Sequence, residues 1–270
     1  MKVDMHMHSY HSDGVLDCKQ LLQEIQEKEI GLFSLTDHET ISGLDEMKEA
    51  VRGTDILYIP GVELASRYEN REYHLTIYGY DEKNQAFLNL IEEISAIRKK
   101  FDIDVITFLE PKVSLEDFKT YEDDPYKGGW PSLNYLIMKG LINNISDYFK
   151  LTENCTAEMK FPNPKCIIDI AHQAGAAVFL AHPSSNQKGG LSDGRLDYFR
   201  EAGIDGLECY SPYCFSQDEI DRYVSYCKKH NLKISGGSDY HGGFVNRTLG
   251  YPHVTIEEIS YDYLKQFIYK

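Results

Sequence analysis

The chain has 270 residues, 42% of them hydrophobic, so it can build the core of a large α/β domain and is not globally disordered. Its formal net charge of −15 repels polyanions and argues against an extended nucleic-acid partner, although bound metal ions can supply positive charge to a small phosphorylated ligand. No apolar run approaches the roughly 18 residues of a membrane span, and no apolar signal segment follows Met1, so we expect a cytoplasmic protein without a membrane partner.

Strand-like and helix-like segments alternate along the chain. The predicted strands cover 2–6, 31–36, 56–62, 73–78, 177–181, 206–210 and 233–236. The predicted helices cover 16–29, a segment ending near Arg52, 85–101, 165–174, 217–229 and 257–267. Alternation of this kind predicts an α/β fold with a parallel sheet that is closed or nearly closed.

The stretch 101–164 breaks this alternation, since it contains five prolines, the Gly128-Gly129 pair and the only tryptophan, Trp130. We therefore predict a barrel formed by 1–100 and 165–270, with 101–164 as an inserted, mostly helical cap subdomain. Insertions in the loops at the carboxyl end of a barrel cover its site. We expect this cap to set ligand choice and to contribute little to metal binding.

Metal-ligand side chains follow the predicted strands. His6 and His8 have i, i+2 spacing at the end of the first strand and so point to one face. The other ligand-type residues at strand ends are His38, Glu63, His182, Asp239 and His241, and His74 lies at the start of the segment 73–78. Because the carboxyl ends of barrel strands meet at one mouth, we expect these side chains to converge.

Imidazole nitrogens and carboxylate oxygens, without paired thiolates, are ligands that suit Mn, Zn or Fe. The set is too large for one ion, so we expect two or three divalent transition-metal ions, with a carboxylate such as Glu63 bridging a pair. Close metal pairs are suited to phosphoryl transfer.

These residues lie in segments that resemble one family. The segments are His6-x-His8-Ser9-x-x-Ser12-Asp13-Gly14, Leu35-Thr36-Asp37-His38, Gly61-Val62-Glu63, His74, Ala181-His182-Pro183, Gly206-Leu207-Glu208 and Gly237-Ser238-Asp239-Tyr240-His241-Gly242. In this order they resemble the polymerase and histidinol phosphatase (PHP) superfamily, in its small-molecule metal-dependent phosphoesterase branch. The resemblance implies a distorted (β/α)7 barrel with a trinuclear metal centre at its mouth.

The resemblance also implies a ligand set for each ion. One ion is held by His6, His8, Glu63 and Asp239, a second by Glu63, His74 and His182, and a third by Asp13, His38 and His241. Asp13 is preferred over the nearby His11. The catalytic residues implied by this set are Glu63, Asp239, His241 and His182.

Phosphate binding needs cationic or N–H donors as well as metal ions. We expect Arg98 and Arg247 to bind substrate, with Arg67, Lys127 and Lys188 as further basic candidates, and we predict that Glu208 contacts a substrate hydroxyl or joins the metal shell. Asp4 and Asp37 are expected to orient imidazoles. An Arg-Pro-His-like segment found in the insertions of many relatives is replaced here by 128–134, which places the nucleotide substrates of those relatives in doubt.

The predicted function is a hydrolase of phosphoric esters. It would cleave a small phosphorylated metabolite, such as a nucleotide, a sugar phosphate or a cyclic phosphodiester, by means of a metal-bridging hydroxide. Two alternatives stay open. One is a 3′–5′ exonuclease, which the charge of −15 disfavours. The other is a non-catalytic metal-binding regulatory module, which the complete ligand set disfavours.

Overall fold

A computed structural model gives the structure of the chain and describes residues 1–185 and 189–270. The strands are β1 (Lys2–Asp4), β2 (Ile30–Phe33), β3 (Leu57–Tyr58), β4 (Gly61–Tyr68), β5 (Arg71–Tyr78), β6 (Ala177–Leu180), β7 (Gly206–Tyr210), β8 (Lys233–Gly236) and β9 (Val254–Thr255). The helices are α1 (Cys18–Glu27), α2 (Leu44–Val51), α3 (Gln85–Phe108), α4 (Leu115–Lys119), α5 (Pro131–Met138), α6 (Ile145–Leu151), α7 (Pro164–Gln173), α8 (Asp193–Ala202), α9 (Gln217–His230) and α10 (Tyr261–Leu264). Short 3₁₀ helices cover Pro125–Lys127 and Lys265–Phe267.

The strands form two sheets, with the orders β3-β2-β1-β9 and β4-β5-β6-β7-β8. Neighbours are parallel in β1–β2, β2–β3, β6–β7 and β7–β8. They are antiparallel in β1–β9, β4–β5 and β5–β6. The predicted α/β class is therefore confirmed, whereas the predicted parallel sheet is found only in part, because three strand pairs are antiparallel. The described strands form two sheets and not one closed barrel.

A hairpin accounts for much of the antiparallel pairing. β4 and β5 pair along their whole length, and Glu69 and Asn70 connect them with φ of 46° and 59°. Positive φ at both central residues is typical of a tight hairpin turn that matches the twist of the paired strands. The single strand predicted at 56–62 is in fact β3 and β4, interrupted at Pro60, which has no amide proton to donate.

Isolated bridges bring the edges of the two sheets together. Met7, which follows β1, pairs with Tyr240, which follows β8. On the other side His38, which follows β2, pairs with Glu63 in β4. The two sheets thus meet at the ends that carry the predicted metal ligands.

Apolar side chains fill the space between the sheets. Val3 and Met5 from the first sheet pack with Tyr78 and Phe179 from the second, and Leu264 of α10 completes the cluster. Burying a large apolar side chain contributes roughly 1.5–3 kcal/mol. This cluster therefore stabilises the relative position of the strands whose ends build the site.

The outer helices bury one apolar face against the sheets. In α1, Asp17 and Gln20 form a reciprocal capping box, and Leu21, Leu22 and Ile25 are buried. The helices α1, α2, α3, α7 and α9 lie where the sequence predicted helices, the helix predicted at 257–267 is present only as α10 and a 3₁₀ turn, and α8 was not predicted. Within 1–185 and 189–270, no helix combines the length and the apolar character needed to cross a membrane.

The segment 101–164, which the structure describes in full, contains helices and no strand. It begins inside α3, which continues to Phe108, and it holds α4, α5 and α6. Val105, Leu133, Tyr135 and Tyr148 belong to an apolar cluster separate from those between and around the sheets. The assignment of this segment as a distinct cap subdomain stays a prediction.

Candidate metal centre

Histidines surround the carboxylate of Glu63, which is fully buried in β4. Its Oε2 atom lies 3.0 Å from His6 Nε2, 3.3 Å from His8 Nε2 and 3.3 Å from His38 Nδ1. Its Oε1 atom lies 3.1 Å from His74 Nδ1 and 2.9 Å from His182 Nε2. The two oxygens thus face different imidazoles, as a carboxylate that bridges two cations requires.

Asp239 and Asp13 complete the cluster from two loops. Oδ1 of Asp239 is 3.1 Å from His8 Nε2 and 3.5 Å from His6 Nε2. Asp13 Oδ2 lies 3.3 Å from His241 Nε2, and Asp13 Oδ1 lies 3.6 Å from His8 Nδ1. The structure therefore brings all nine predicted metal ligands into one cluster.

The cluster contains several sets of donor atoms of a size that can hold an ion. In each set the donor atoms lie within 4.8 Å of one another. The sets are His6, His8, Glu63 and Asp239; His8, Asp13, His38 and His241; and His38, Glu63 and His74. Among the described residues, Nδ1 of His8 and Nδ1 of His38 are buried without a hydrogen-bond partner. Unpaired buried imidazole nitrogens beside carboxylates fit divalent transition-metal ions.

The protonation states follow from burial and neighbouring charge. Burial opposes ionisation of Glu63, but His6, His38 and His74 hold the pKa of that carboxyl well below its usual value. Burial lowers the pKa of His38 to about 3, so this imidazole is neutral near pH 7. Burial would also lower the pKa of His74, but the charge of Glu63 raises it to about 10. The carboxylates thus give the cluster a strong attraction for positive charge.

His11, the alternative to Asp13, lies outside the cluster. Its Nε2 is 2.9 Å from Glu46 Oε2, and its Nδ1 is 3.0 Å from the hydroxyl oxygen of Ser42. The geometry therefore favours Asp13.

Buried carboxylates fix the loops that carry the cluster. Asp4 accepts hydrogen bonds from the amides of Ser238 and Gly250. Asp37 accepts from the amide of Ser9 at 2.7 Å and from the hydroxyl of Ser12 at 2.6 Å. The expectation that Asp4 and Asp37 orient imidazoles directly is thus replaced by a role in holding the ligand loops.

Glu208 is buried beside His6 and the backbone of His182. Its side chain is fully buried, and Oε2 lies 2.9 Å from His6 Nδ1 and accepts from the amide of His182 at 3.0 Å. The substrate contact predicted for Glu208 is therefore not supported, because the carboxylate is fully buried and does not line the cavity beside the cluster. The structure gives this carboxylate the position of a group that orients His6.

Arg98 also differs from its predicted role. Its guanidinium binds Glu39 and lies 3.2 Å from Glu72 Oε1, and the same Glu72 atom is 2.8 Å from His74 Nε2. Arg98 is thus a structural partner of Glu72, which contacts His74, and it does not line the open cavity beside the cluster. The substrate contact predicted for Arg98 is accordingly not supported.

A cavity of about 600 Å³ opens above the cluster. It is bounded by Asp13, His38, His74, His182, Asp239 and His241 together with Arg71, Arg247, Trp130, Phe149, Tyr213 and Phe244. The predicted position of Arg247 at the cavity is thus found, and its guanidinium carbon lies 4.3 Å from the ring centre of Tyr213. Trp130 and Phe149 show that 101–164 reaches the cavity.

Four cavity residues were not predicted from the sequence: Arg71, Tyr213, Phe149 and Phe244. Tyr213 follows β7 by a few residues, so the strand-end argument used for the histidines applied to it as well. Phe149 and Phe244 have no such signal. Of the other basic candidates, Arg67 binds the carbonyl of Met159, and Lys188 lies outside the described residues.

Comparison with known proteins identifies the family. The family model described as the PHP domain matches residues 4–150. The chain is 27% identical to a 5′-3′ exoribonuclease of Haemophilus influenzae, over 89% of this chain and 90% of that protein. It is 24% identical to a 3′,5′-nucleoside bisphosphate phosphatase of Chromobacterium violaceum, over 92% of this chain and 90% of that protein.

A solved structure from Bifidobacterium adolescentis, described as a metal-dependent phosphoesterase, superposes with a TM-score of 0.83. It covers 98% of this chain and 94% of its own, at 23% identity, so the two proteins share a fold. The family match spans more than half of the 270 residues and contains His6, His38 and Glu63. The chain belongs to the PHP domain family.

Proposed function

We propose that this protein is a metal-dependent phosphoesterase that hydrolyses a small phosphorylated metabolite. The enzyme is a hydrolase of phosphoric ester bonds, as are its named relatives. The observation that carries the proposal is the buried carboxylate of Glu63, whose two oxygens face different imidazoles. This arrangement fits a pair of divalent ions that share one carboxylate.

The ligand sets proposed for the ions are those that the family resemblance implies. The first ion takes His6, His8, Glu63 and Asp239, the second takes Glu63, His74 and His182, and the third takes Asp13, His38 and His241. The first set coincides with a group of donor atoms in the structure, the third lies within a group that also contains His8, and the second has His182 where the structural group has His38. Mn, Zn and Fe match these donors. When bound, the ions supply Lewis acidity that activates water and neutralises phosphoryl charge.

The chain's own residues position the substrate and the ions. Glu208 contacts His6, and Asp37 accepts from the amide of Ser9 in the loop that carries Asp13. The hydroxyl of Tyr213 donates to Asp239. Arg247 presents a guanidinium to the cavity, where it can bind a phosphoryl oxygen. A cavity of about 600 Å³ has room for a nucleotide-sized molecule.

We further propose that the two sheets act as one distorted (β/α)7 barrel, because bridges at Met7 and His38 join their edges beside the site. In this arrangement 1–100 and 165–270 form the barrel, and 101–164 is the cap that supplies Trp130 to the cavity wall.

A second candidate function is exoribonuclease activity. Aromatic residues Trp130, Phe149 and Phe244 line the cavity and offer surfaces on which bases stack. The relatives named as exoribonucleases act in the 5′-3′ direction, opposite to the exonuclease considered from the sequence. The charge of −15 disfavours a long strand, so we rank this function second.

The test combines metal analysis with a substrate screen. Purified protein reconstituted with Mn²⁺ should contain at least two ions and hydrolyse one or more phosphorylated metabolites. Glu63→Gln removes charge shared by two sites, so it should lower the metal content and reduce activity by about 10²-fold or more.

The matched control is Asp102→Asn, which alters a buried carboxylate of α3 that accepts from the amide of Ser132. It should keep the metal content and the activity of the wild type. Wild-type protein with one ion or none, or a Glu63→Gln variant with full occupancy and normal turnover, would contradict the proposal.

A further inference from the structure

A glycine turn of the segment 101–164 rests directly on the loop that carries Asp13. The amide of Gly129 donates a hydrogen bond of 2.9 Å to the carbonyl of Asp13. Gly128 packs against the same carbonyl. Beside this contact, the ring of Tyr126 stacks on Tyr10 at 5.1 Å. The turn is thus in contact with the backbone of a proposed metal ligand.

The same turn packs on the loop that carries His241. Both Gly128 and Gly129 face the side chain of Phe244. The amide of Phe244 donates to the carbonyl of His241 at 3.3 Å, as does the amide of Val15. The turn therefore lies across the two loops whose side chains, Asp13 and His241, approach to 3.3 Å.

The close approach depends on the absence of side chains at both glycines. Their φ angles are +68° and +76°. A Cβ atom on Gly128 would lie 2.8 Å from the carbonyl oxygen of Asp13 and 2.8 Å from Phe244 Cβ. One on Gly129 would lie 2.6 Å from Phe244 Cζ. Distances this short force either the turn or the ligand loops to move.

The turn cannot easily retreat, because its other side is anchored. The buried side chain of Asn134, in α5, donates to the carbonyl of Gly128 at 2.8 Å and to Asp123 at 3.2 Å. α5 packs in turn in the apolar cluster of this segment through Leu133 and Tyr135. A displacement at Gly128 is therefore transmitted to the loops of Asp13 and His241.

We propose that the turn Gly128–Trp130 fixes the separation of Asp13 and His241 and thereby sets the affinity of the ion bound with His38. This inference rests on the proposed function, since it concerns one of its ion sites. It revises the expectation that the insertion contributes little to metal binding. Trp130 lines the cavity, so a ligand that moves Trp130 acts on the same ion site.

The ion site of His6, His8, Glu63 and Asp239 provides the internal reference. Its residues are held by the sheets and by Glu208, Asp4 and Tyr213. A change in the turn should therefore weaken one ion and leave this site intact.

The experiment compares Gly128→Ala with Gly140→Ala. Gly140 lies in the same segment with φ of +71°, and a Cβ atom there meets nothing within 4 Å. Only Gly128→Ala places a methyl group against Asp13 and Phe244. Both substitutions strain the backbone, and the strain at Gly128 is the less tolerable, because its φ of 68° and ψ of 178° lie in a region that is essentially restricted to glycine. Phe244→Leu, which adds no such strain, is therefore measured alongside them.

Mn²⁺ binding is measured by calorimetry and by elemental analysis after dialysis against graded Mn²⁺. Gly128→Ala should lower the affinity for one ion by about tenfold or more, as outer contacts of metal ligands do, and leave the others unchanged. Gly140→Ala should bind as the wild type does. Equal binding by the two variants overturns the inference.

If circular dichroism shows that Gly128→Ala does not fold, a second substitution provides the test. Phe244→Leu removes the ring that the turn packs on without adding backbone strain, and it should weaken the same ion. Wild-type binding by a folded Phe244→Leu overturns the inference in that case. A wild-type protein that binds no second ion refutes the proposed function instead, so the two failures are distinct.

Discussion

Tyr213 connects a proposed metal ligand with a proposed phosphate ligand. Its hydroxyl donates to Asp239 Oδ2 at 2.7 Å, while Oδ1 of the same carboxylate faces His8 and His6. Its ring lies beneath the guanidinium of Arg247. One side chain thus orients a carboxylate through its hydroxyl and a cation through its ring.

These two contacts can be separated by substitution. Tyr213→Phe removes the hydroxyl and keeps the ring, so kcat should fall by about tenfold with little change in KM. Tyr213→Leu removes both contacts, so KM should rise as well. Steady-state kinetics at saturating Mn²⁺ measures the difference, and thermal unfolding checks that both variants are folded. Identical kinetics for the two variants would refute the separate role of the ring.

The sequence predicted which side chains converge but not the orientation of every polar residue near them. Strand ends predicted that Glu63, Asp239 and the histidines converge, because that argument needs only topology. The same argument predicted that Glu208 contacts substrate or joins the metal shell, although its buried carboxylate contacts Nδ1 of His6 and does not line the cavity. Whether a strand-end side chain faces a cavity or another side chain depends on local backbone geometry, which periodicity does not contain.

At the scale of elements, α3 joins the sheets to the segment 101–164. The helix was predicted to end at 101, where the helix–strand alternation stops. It continues to Phe108, because 101–108 contains neither proline nor glycine. Arg98, on this helix, binds Glu39 and Glu72 beside His74. A charge on α3 thus supports a residue of the proposed metal centre.

The role of Arg98 predicts a loss of stability and not of substrate affinity. Arg98→Gln leaves Glu39, which is 3% exposed, without its cation. Removing one partner of a buried pair costs about 3–5 kcal/mol, and we expect about 2–3 kcal/mol here because Arg98 is partly exposed. Chemical denaturation should show this loss. A KM increase at unchanged stability would restore the substrate contact predicted from the sequence.

The direction of the strands in β4–β5 and β5–β6 was not predicted from the sequence. The alternation of strands and helices predicted parallel pairing, and β6, β7 and β8 follow it. The connection at Glu69-Asn70 lacks the glycine that marks most tight hairpins, so β4 and β5 were not identified as a pair. This hairpin places Glu63 and His74 on neighbouring strands, close enough for their side chains to meet.

At the scale of the whole molecule, the net charge limits the size of the substrate. Even three divalent ions leave a chain of charge −15 negative overall. Bound ions would concentrate positive charge at the cavity floor, and the net negative charge of the chain would repel a phosphate chain that extends beyond it. The proposed function and the exoribonuclease alternative therefore differ in how turnover depends on chain length.

Turnover should depend on the length of the substrate chain. With Mn²⁺ present, kcat/KM should fall from a mononucleotide to an oligoribonucleotide of about ten residues at low ionic strength. Added salt should narrow the gap, because the screening length falls from about 30 Å at 0.01 M to about 10 Å at 0.1 M. The measurement is product release for both substrates across a salt series, with an uncharged osmolyte as the control for water activity. Faster turnover of the longer strand at low salt would mean that the surface guides RNA to the cavity, and exoribonuclease activity would then be the function of this protein.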